Sequence, residues 1–188
     1  MDSASKKRLA GYVFAVVAVG AIATYFMFKR PTPESAALAY ADRVIEGDVE
    51  WIYDHSTNEE KATAGFTPEL VNSFYSEFLS TVLDEAEIVG KPVLTPFSGT
   101  MCSAEFKIKL KTGEIVPVGV FAFVEEGQVR VGACESLLYV AANVNFRDLP
   151  DLTDRIRKGW RVYGPWFIKH GMPVMYSSQD GGVIPLKP

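Results

Sequence analysis

Along residues 33–82 the apolar positions recur at helical spacing, which predicts helices that each bury one face. Gly47 is expected to end the first helix in the left-handed conformation, and Asp48 to cap the start of the next helix. After a polar loop, Thr67 followed by Pro68 marks another helix start. The two longer apolar stripes consist of Ala37, Leu38, Ala41, Val44 and Ile45, and of Leu70, Val71, Phe74, Tyr75 and Phe78.

Residues 86–136 change character to short runs rich in β-branched and aromatic residues, which predicts strands. Residues 104–110 alternate between apolar and charged side chains, so one face of that strand is expected to be wet. Val118–Val124 is apolar on both faces and is expected to be a central strand. Turns are predicted at Thr112-Gly113 and Glu126-Gly127, and the segment QVRVGACESLLYV is read as a further strand. This order of elements predicts an α+β fold.

Beyond Asn143 the pattern weakens. A helix is expected to begin at Asp148-Leu149-Pro150, to carry Leu152 and Ile156, and to stop near Gly159. The chain after it is rich in aromatic residues and broken by Gly and Pro. We therefore predict a C-terminal helical extension with a turn-rich tail.

The N-terminal Leu9–Phe28 is an uncharged apolar run of about 20 residues, the length that a transmembrane helix needs. Basic residues 6–8 precede it and the pair 29–30 follows it. The larger positive charge on the N-terminal side predicts a cytoplasmic N-terminus and an extracytoplasmic main domain, on the periplasmic or cell-exterior side. A second interpretation is a cleaved signal peptide, since Ala21-Ile22-Ala23 fits a cleavage site. The longer apolar run and the closing basic pair favour a retained anchor.

The chain has 188 residues and a net charge of −4, which gives no reason to expect nucleic-acid binding. The segment 34–90 is strongly acidic, whereas in residues 147–170 the basic side chains outnumber the acidic ones. Both are interpreted first as solvated faces, and alternatively the basic segment is a docking surface for anionic lipid or an acidic partner. The predicted parts are a cytoplasmic tail (1–8), a transmembrane helix (9–28), a linker (29–33), an α+β domain (34–146) and a C-terminal extension (147–188).

The phrase YADRVIEGDVEWIYDHS, with a third helix and then strands after it, resembles the nuclear transport factor 2-like (cystatin-like) superfamily over about residues 34–138. This resemblance implies a cone fold, in which helices pack on a curved antiparallel sheet and often enclose a pocket. In layout the chain is similar to membrane-anchored assembly factors of type IV secretion systems. It departs from them at GQVRVGA, where many relatives carry a tryptophan, and in its C-terminal extension. The resemblance therefore implies a fold and no specific activity.

Asp54 and His55 are adjacent, so on a helix their side chains point about 100° apart and do not form a dyad by themselves. The second histidine, His170, is expected at a surface or helix end. Two isolated histidines and two cysteines give no metal-ligand spacing, and no cofactor is predicted. A strand meander would place Cys102 and Cys134 one strand apart, which favours free thiols over a disulfide.

Two candidate sites follow from the sequence. A ligand pocket is predicted at Tyr40, Tyr75, Glu105 and Glu135, where a buried carboxylate could act as a general base. A membrane or partner surface is predicted at Arg157, Trp160, Arg161 and Trp166, with packing of the aromatics onto the domain as the alternative. We expect a membrane-anchored binding or assembly module of an envelope or secretion-type complex, with a protein partner or self-association. The alternative is an isomerase- or hydratase-type pocket enzyme.

Overall fold

The computed structural model describes residues 32–63, 65–98, 101–171, 176–177 and 183–184, with side chains up to residue 96 in the second range and none in the last two ranges. The predicted transmembrane helix, Leu9–Phe28, lies outside these residues. Within them, no helix has the length and apolar character needed to cross a membrane.

The chain forms an α+β fold, as predicted. In the part of the chain that the structure describes, four helices come first, then a four-stranded antiparallel curved sheet of order β1-β2-β3-β4, then two helices. The helices are α1 (Pro33–Glu46), α2 (Val49–Asp54), α3 (Asn58–Ala62), α4 (Pro68–Phe78), α5 (Ala133–Asn145) and α6 (Leu152–Lys169). The strands are β1 (Glu87–Ser98), β2 (Met101–Lys109), β3 (Ile115–Glu125) and β4 (Gln128–Val131), and β5 (Tyr176–Ser177) pairs with β6 (Val183–Ile184).

The corner between α1 and α2 is built as the sequence predicts. Gly47 has a φ of +70°, and its left-handed conformation closes α1. The side chain of Asp48 accepts a 3.1 Å hydrogen bond from the backbone N–H of Trp51, which caps α2. Thr67 caps α4 in the same way through the N–H of Leu70. These helix boundaries are confirmed because each depends on contacts between near neighbours in the chain.

The sheet has two different faces. Residues 102, 104, 106 and 108 of β2 are buried, and the residues between them are half-buried or exposed. In β3, residues 116, 118, 120 and 122 are buried in the same manner. Helix α1 packs on this buried face, which we call the helix face. The opposite side is the open face, and β3 is a central strand as predicted.

The free edge of the sheet, β1, carries Pro92 and Pro96. A proline in a strand is normally tolerated where its nitrogen points away from the neighbouring strand. We therefore expect both prolines to remove hydrogen-bond donors from the outer edge of β1, and so to oppose addition of another strand there.

The segment read as one strand from Gln128 onward contains a short strand and a helix. Strand β4 ends at Val131, and α5 begins at Ala133. The prediction was wrong because α5 is buried on most of its circumference, so its apolar residues show no helical stripe. The polar loop after α2 also contains a helix, α3, which Thr57 caps.

The last helix does not stop near Gly159 as predicted. Helix α6 begins after its capping residue Asp151 and continues through Gly159 and Pro165 to Lys169. Gly159 is required by close packing: a Cβ added there would lie 2.5 Å from the Cβ of Ala142 in α5. This glycine therefore marks the contact between two helices, whereas the sequence pattern suggested a helix end.

Aromatic side chains join α6 to α4. The ring of Phe74 stacks on Phe167 at a centroid distance of 4.7 Å and meets Tyr163 and Trp166 edge-on. Phe74, Tyr163 and Phe167 are almost completely buried. The C-terminal extension is thus helical, as predicted, and part of it completes the core.

Candidate functional site

Helix α5 lies beside β3, beyond the end of β4. The backbone N–H of Gly132 donates to the carbonyl of Phe121 at 3.0 Å, and the N–H of Phe121 is 3.4 Å from the hydroxyl of Ser136. The ring of Phe121 meets Tyr139 edge-on, with centroids 5.8 Å apart. The start of α5 therefore binds to β3 at the position where β4 has ended. Its side chains border the open face of the sheet.

A groove of about 160 Å³ lies where the open face meets α5. Its walls are mostly apolar. Its lining includes Glu105 of β2, Gly119 and Phe121 of β3, Tyr139 and Asn143 of α5, and Leu152 of α6. The groove is held by four separate elements, so its shape is set by the fold.

Asn143 is the polar group buried at the groove. Only 1% of its surface is exposed, although it lines the groove. Its Nδ2 donates a 2.9 Å hydrogen bond to the carbonyl of Tyr139, which fixes the amide orientation. Among the described residues its Oδ1 has no hydrogen-bond partner. A buried acceptor without a partner is unfavourable, and a bound donor would relieve that cost.

Glu135 and Tyr139 stand above Asn143 on the same stripe of α5, since residues four apart share a helix face. Burial raises the pKa of the Glu135 carboxyl, and the Glu60 carboxylate raises it further. Burial and the charge of Glu135 together raise the pKa of the Tyr139 hydroxyl. No hydrogen bond or ion pair to the Glu135 carboxylate occurs within the described part of the chain. The stripe thus combines a negative charge, an aromatic ring and a free acceptor.

Glu60 is also buried, but its carboxylate is fully engaged. It accepts hydrogen bonds from the N–H groups of Ala133 (3.0 Å) and Cys134 (2.7 Å), which are the first two of α5. It also accepts from the backbone and the hydroxyl of Thr57. Burial raises the pKa of Glu60, although these hydrogen bonds partly offset the effect. Glu60 therefore fixes the start of α5, where Gly132 provides no side-chain cap.

The four residues of the predicted pocket are not brought together. Tyr40 of α1 is completely buried, and Tyr75 of α4 packs its ring against Gly47, both on the helix face. Glu105 projects from the open face and lines the groove, whereas Glu135 lies at the start of α5. The sheet therefore lies between the two tyrosines and Glu105.

The residues of the predicted surface divide into two groups. Arg157 and Arg161 are exposed on α6. Trp160 is only 7% exposed, and Trp166 packs edge-on against Phe74 while its Nε1 donates to Glu77 at 2.9 Å. The two tryptophans hold α6 onto the domain, so the exposed part of this surface is basic.

The histidines have structural positions. His55 stacks on Trp51 with centroids 3.9 Å apart, and its Nδ1 is 3.0 Å from the carbonyl of Trp51. His170 stacks on Trp166 in the same way. Asp54 is exposed beside His55. In the described ranges, no cluster of His, Cys, Asp or Glu has the arrangement of a metal site.

Cys102 and Cys134 are both free, as predicted. Their positions differ from the prediction because Cys134 lies at the start of α5 and not in a strand, whereas Cys102 is in β2 opposite Ala122. Burial raises the pKa of the Cys134 thiol well above its ordinary value, and the nearby Glu60 carboxylate raises it further. This thiol is therefore protonated and a weak nucleophile at neutral pH.

Sequence reasoning missed Glu60, Tyr139 and Asn143. The only local signal is the spacing of four between Glu135, Tyr139 and Asn143, which marks a polar stripe once α5 is read as a helix. Glu60 also fits a capping box with Thr57, but no local pattern indicates its bond to α5.

No family model matches this chain, and no curated protein sequence matches it.

Proposed function

We propose that this chain is a membrane-anchored binding module, and that the groove between the open face and α5 is its binding site. The observation that carries the proposal is Asn143, a residue that lines the groove and whose buried Oδ1 has no partner among the described residues. Ligand sites are typically apolar concavities with a few converging polar groups. The groove has this composition.

The proposed location comes from the sequence. The apolar Leu9–Phe28 would act as a single transmembrane anchor with the N-terminus in the cytoplasm. Helix α1 begins at Pro33, only a few residues after this segment ends. The domain would then be held close to the extracytoplasmic surface of the membrane, where it could serve an envelope or secretion-type complex.

We also propose membership of the nuclear transport factor 2-like superfamily in a membrane-anchored form. Helices on one face of a curved antiparallel sheet support the cone fold. The pocket differs from the one that this resemblance implies, because the groove lies on the open face instead of under the helices. This difference favours binding in the groove on the open face, which α5 and α6 help to form.

A second candidate, an isomerase- or hydratase-type enzyme, is favoured by one observation. Glu135 lies one helical turn from Tyr139, which lines the groove, and its raised pKa is what a carboxylate general base needs. Such an enzyme would exchange the α-protons of a small bound ketone for deuterium, and Glu135→Gln would abolish the exchange. Equal exchange by the wild type and by Glu135→Gln would exclude this candidate.

The binding site is tested with the full-length protein in lipid nanodiscs and a library of small fragments, observed by ligand NMR. The matched variant is Gly119→Val, which fills the groove. A Cβ at Gly119 would meet only the Ala104 carbonyl oxygen, at 3.8 Å, which is an ordinary van der Waals contact. We expect fragments that bind the wild type and not Gly119→Val. If the same fragments bind the wild type and Gly119→Val, or if no fragment binds either protein, the proposal is contradicted.

A further inference from the structure

We infer that the ligand of this groove is a small ammonium compound with an apolar, preferably aromatic, body. This inference rests on the proposed binding function and adds the chemistry of the ligand. It follows from the size of the groove, from its walls and from the kind of polar groups that line it.

The size of the groove limits the ligand. Its volume of about 160 Å³ is close to that of engineered protein cavities that hold one benzene molecule. A single ring, or an aliphatic group of similar size, would fill it. Because the groove is open at one side, a short arm of the ligand can extend along the surface.

The walls favour an apolar body with a positive charge. The groove is lined by Phe121 and Tyr139, whose rings meet edge-on, and by Leu152, which is 48% exposed. Burying Leu152 and a ring of the ligand against each other would be favourable. Aromatic rings also attract an ammonium group placed over their faces.

The unpaired polar groups of the lining residues are acceptors, so they favour a ligand that donates hydrogen bonds. The Oδ1 of Asn143 is an acceptor, and the Nδ2 of the same amide already donates to Tyr139. Glu105 is the one charged residue among the described lining residues, and it is an acid. A ligand with N–H donors and a positive charge satisfies both groups, whereas a carboxylate ligand satisfies neither.

A further acidic residue near the groove strengthens the preference for a cationic ligand. Glu135 lies one helical turn from Tyr139, and its carboxylate has no ion-pair partner in the described residues. Its negative charge, in addition to that of Glu105, makes the potential around the groove favourable for a cation. An ammonium ligand would therefore be steered to the groove and retained by Asn143.

The test compares three probes of one shape and different charge: para-fluorobenzylamine, para-fluorobenzyl alcohol and para-fluorobenzoate. Each is titrated into the full-length protein in nanodiscs of neutral lipid at pH 7 and followed by fluorine NMR. We expect the amine to bind at least about tenfold more tightly than the alcohol, and the benzoate to bind more weakly than either. Gly119→Val should abolish binding of all three.

Two variants separate the polar contacts. Glu105→Gln should weaken the amine several-fold and leave the alcohol unchanged, because only the amine is charged. Asn143→Leu should weaken both. The matched control is Glu87→Gln, a carboxylate that is already paired with Lys109 at 2.7 Å and does not line the groove. It should leave the affinity of the amine unchanged.

The inference is overturned if the alcohol or the benzoate binds as tightly as the amine, or if Glu105→Gln and Glu87→Gln act equally. It is also overturned if none of the probes binds while other fragments still distinguish the wild type from Gly119→Val. That last result would leave the binding function standing. Failure of the fragment comparison itself would remove the proposed function as well.

Discussion

The backbone N–H of Cys134 donates a 2.7 Å hydrogen bond to the Oε1 of Glu60, a contact between residues that lie 74 positions apart. Together with the bond from Ala133, it attaches α3 to the first turn of α5. Since α5 forms one wall of the groove, Glu60 holds the site in place without lining it.

Replacing Glu60 should therefore destabilise the domain. Glu60→Gln keeps the size of the side chain but directs an amide group at N–H donors, so at least one buried donor loses its acceptor. We expect the free energy of unfolding to fall by about 1–3 kcal/mol. Urea unfolding of the full-length protein in mild detergent, followed by tryptophan fluorescence, measures this change.

The control is Glu59→Gln, an exposed neighbour on α3, which should change the stability by less than about 0.5 kcal/mol. Equal effects of both variants would contradict the role of Glu60.

The hydroxyl of Tyr40 is buried without a hydrogen-bond partner in the described residues. Tyr40→Phe removes an unsatisfied group and should raise the free energy of unfolding by up to about 1 kcal/mol. Tyr163→Phe is the matched comparison, because the Tyr163 hydroxyl accepts a 3.1 Å hydrogen bond from Asn145. That variant should lower the stability by about 1 kcal/mol. A loss of stability in Tyr40→Phe as large as that in Tyr163→Phe would indicate that Tyr40 has a partner.

Gly159→Ala tests the contact between α5 and α6. In an exposed helix this change normally adds about 0.5–1 kcal/mol of stability. Here the new Cβ would lie 2.5 Å from the Cβ of Ala142, so we expect a loss of about 1–3 kcal/mol instead. Adding Ala142→Gly should recover a large part of the loss. The two single variants and the double variant form a cycle that can be measured by urea unfolding. A gain of stability in Gly159→Ala would disprove the close packing.

The raised pKa of Glu135 predicts a pH dependence with a definite sign. The native state holds a proton on this carboxyl at a pH where the unfolded chain, with an ordinary value of 4.5, has released it. The contribution of Glu135 to stability is therefore lost as the pH rises from the unfolded pKa through the folded one. Glu135→Gln does not titrate, so its stability relative to the wild type should increase over that interval and then level off. Unfolding measured from pH 4 to pH 8 tests this expectation. A difference that is constant or decreases with pH would contradict it.

Local signals were sufficient to predict most helix starts and ends in the first half of the fold, although α3 was read as a polar loop. Gly47, Asp48 and Thr67 act on backbone groups within a few positions, so the helix boundaries at these residues follow from residue type alone. The alternation in β2 was equally informative because one face is wet and the other is dry.

The second half depends on contacts between distant residues. Helix α5 is buried nearly all round, and its start is fixed by Glu60, so neither its period nor its cap is visible locally. Gly159 and Pro165 resemble helix breakers until the packing of Gly159 on Ala142 is known. The groove could not be predicted for the same reason, because Glu105 and Asn143 become neighbours only when α5 is placed beside β3.

The central claim, a binding module held outside the cytoplasm by an N-terminal anchor, is tested most directly by thiol labelling in intact cells. Lys158→Cys introduces a thiol at an exposed position of α6, and Ser3→Cys introduces one in the predicted cytoplasmic tail. The wild type, whose own cysteines are Cys102 and Cys134, gives the background. With a membrane-impermeant maleimide, and the outer membrane permeabilised where one exists, we predict that Lys158→Cys is labelled before lysis and Ser3→Cys only after lysis. Labelling of Lys158→Cys only after lysis would contradict the claim.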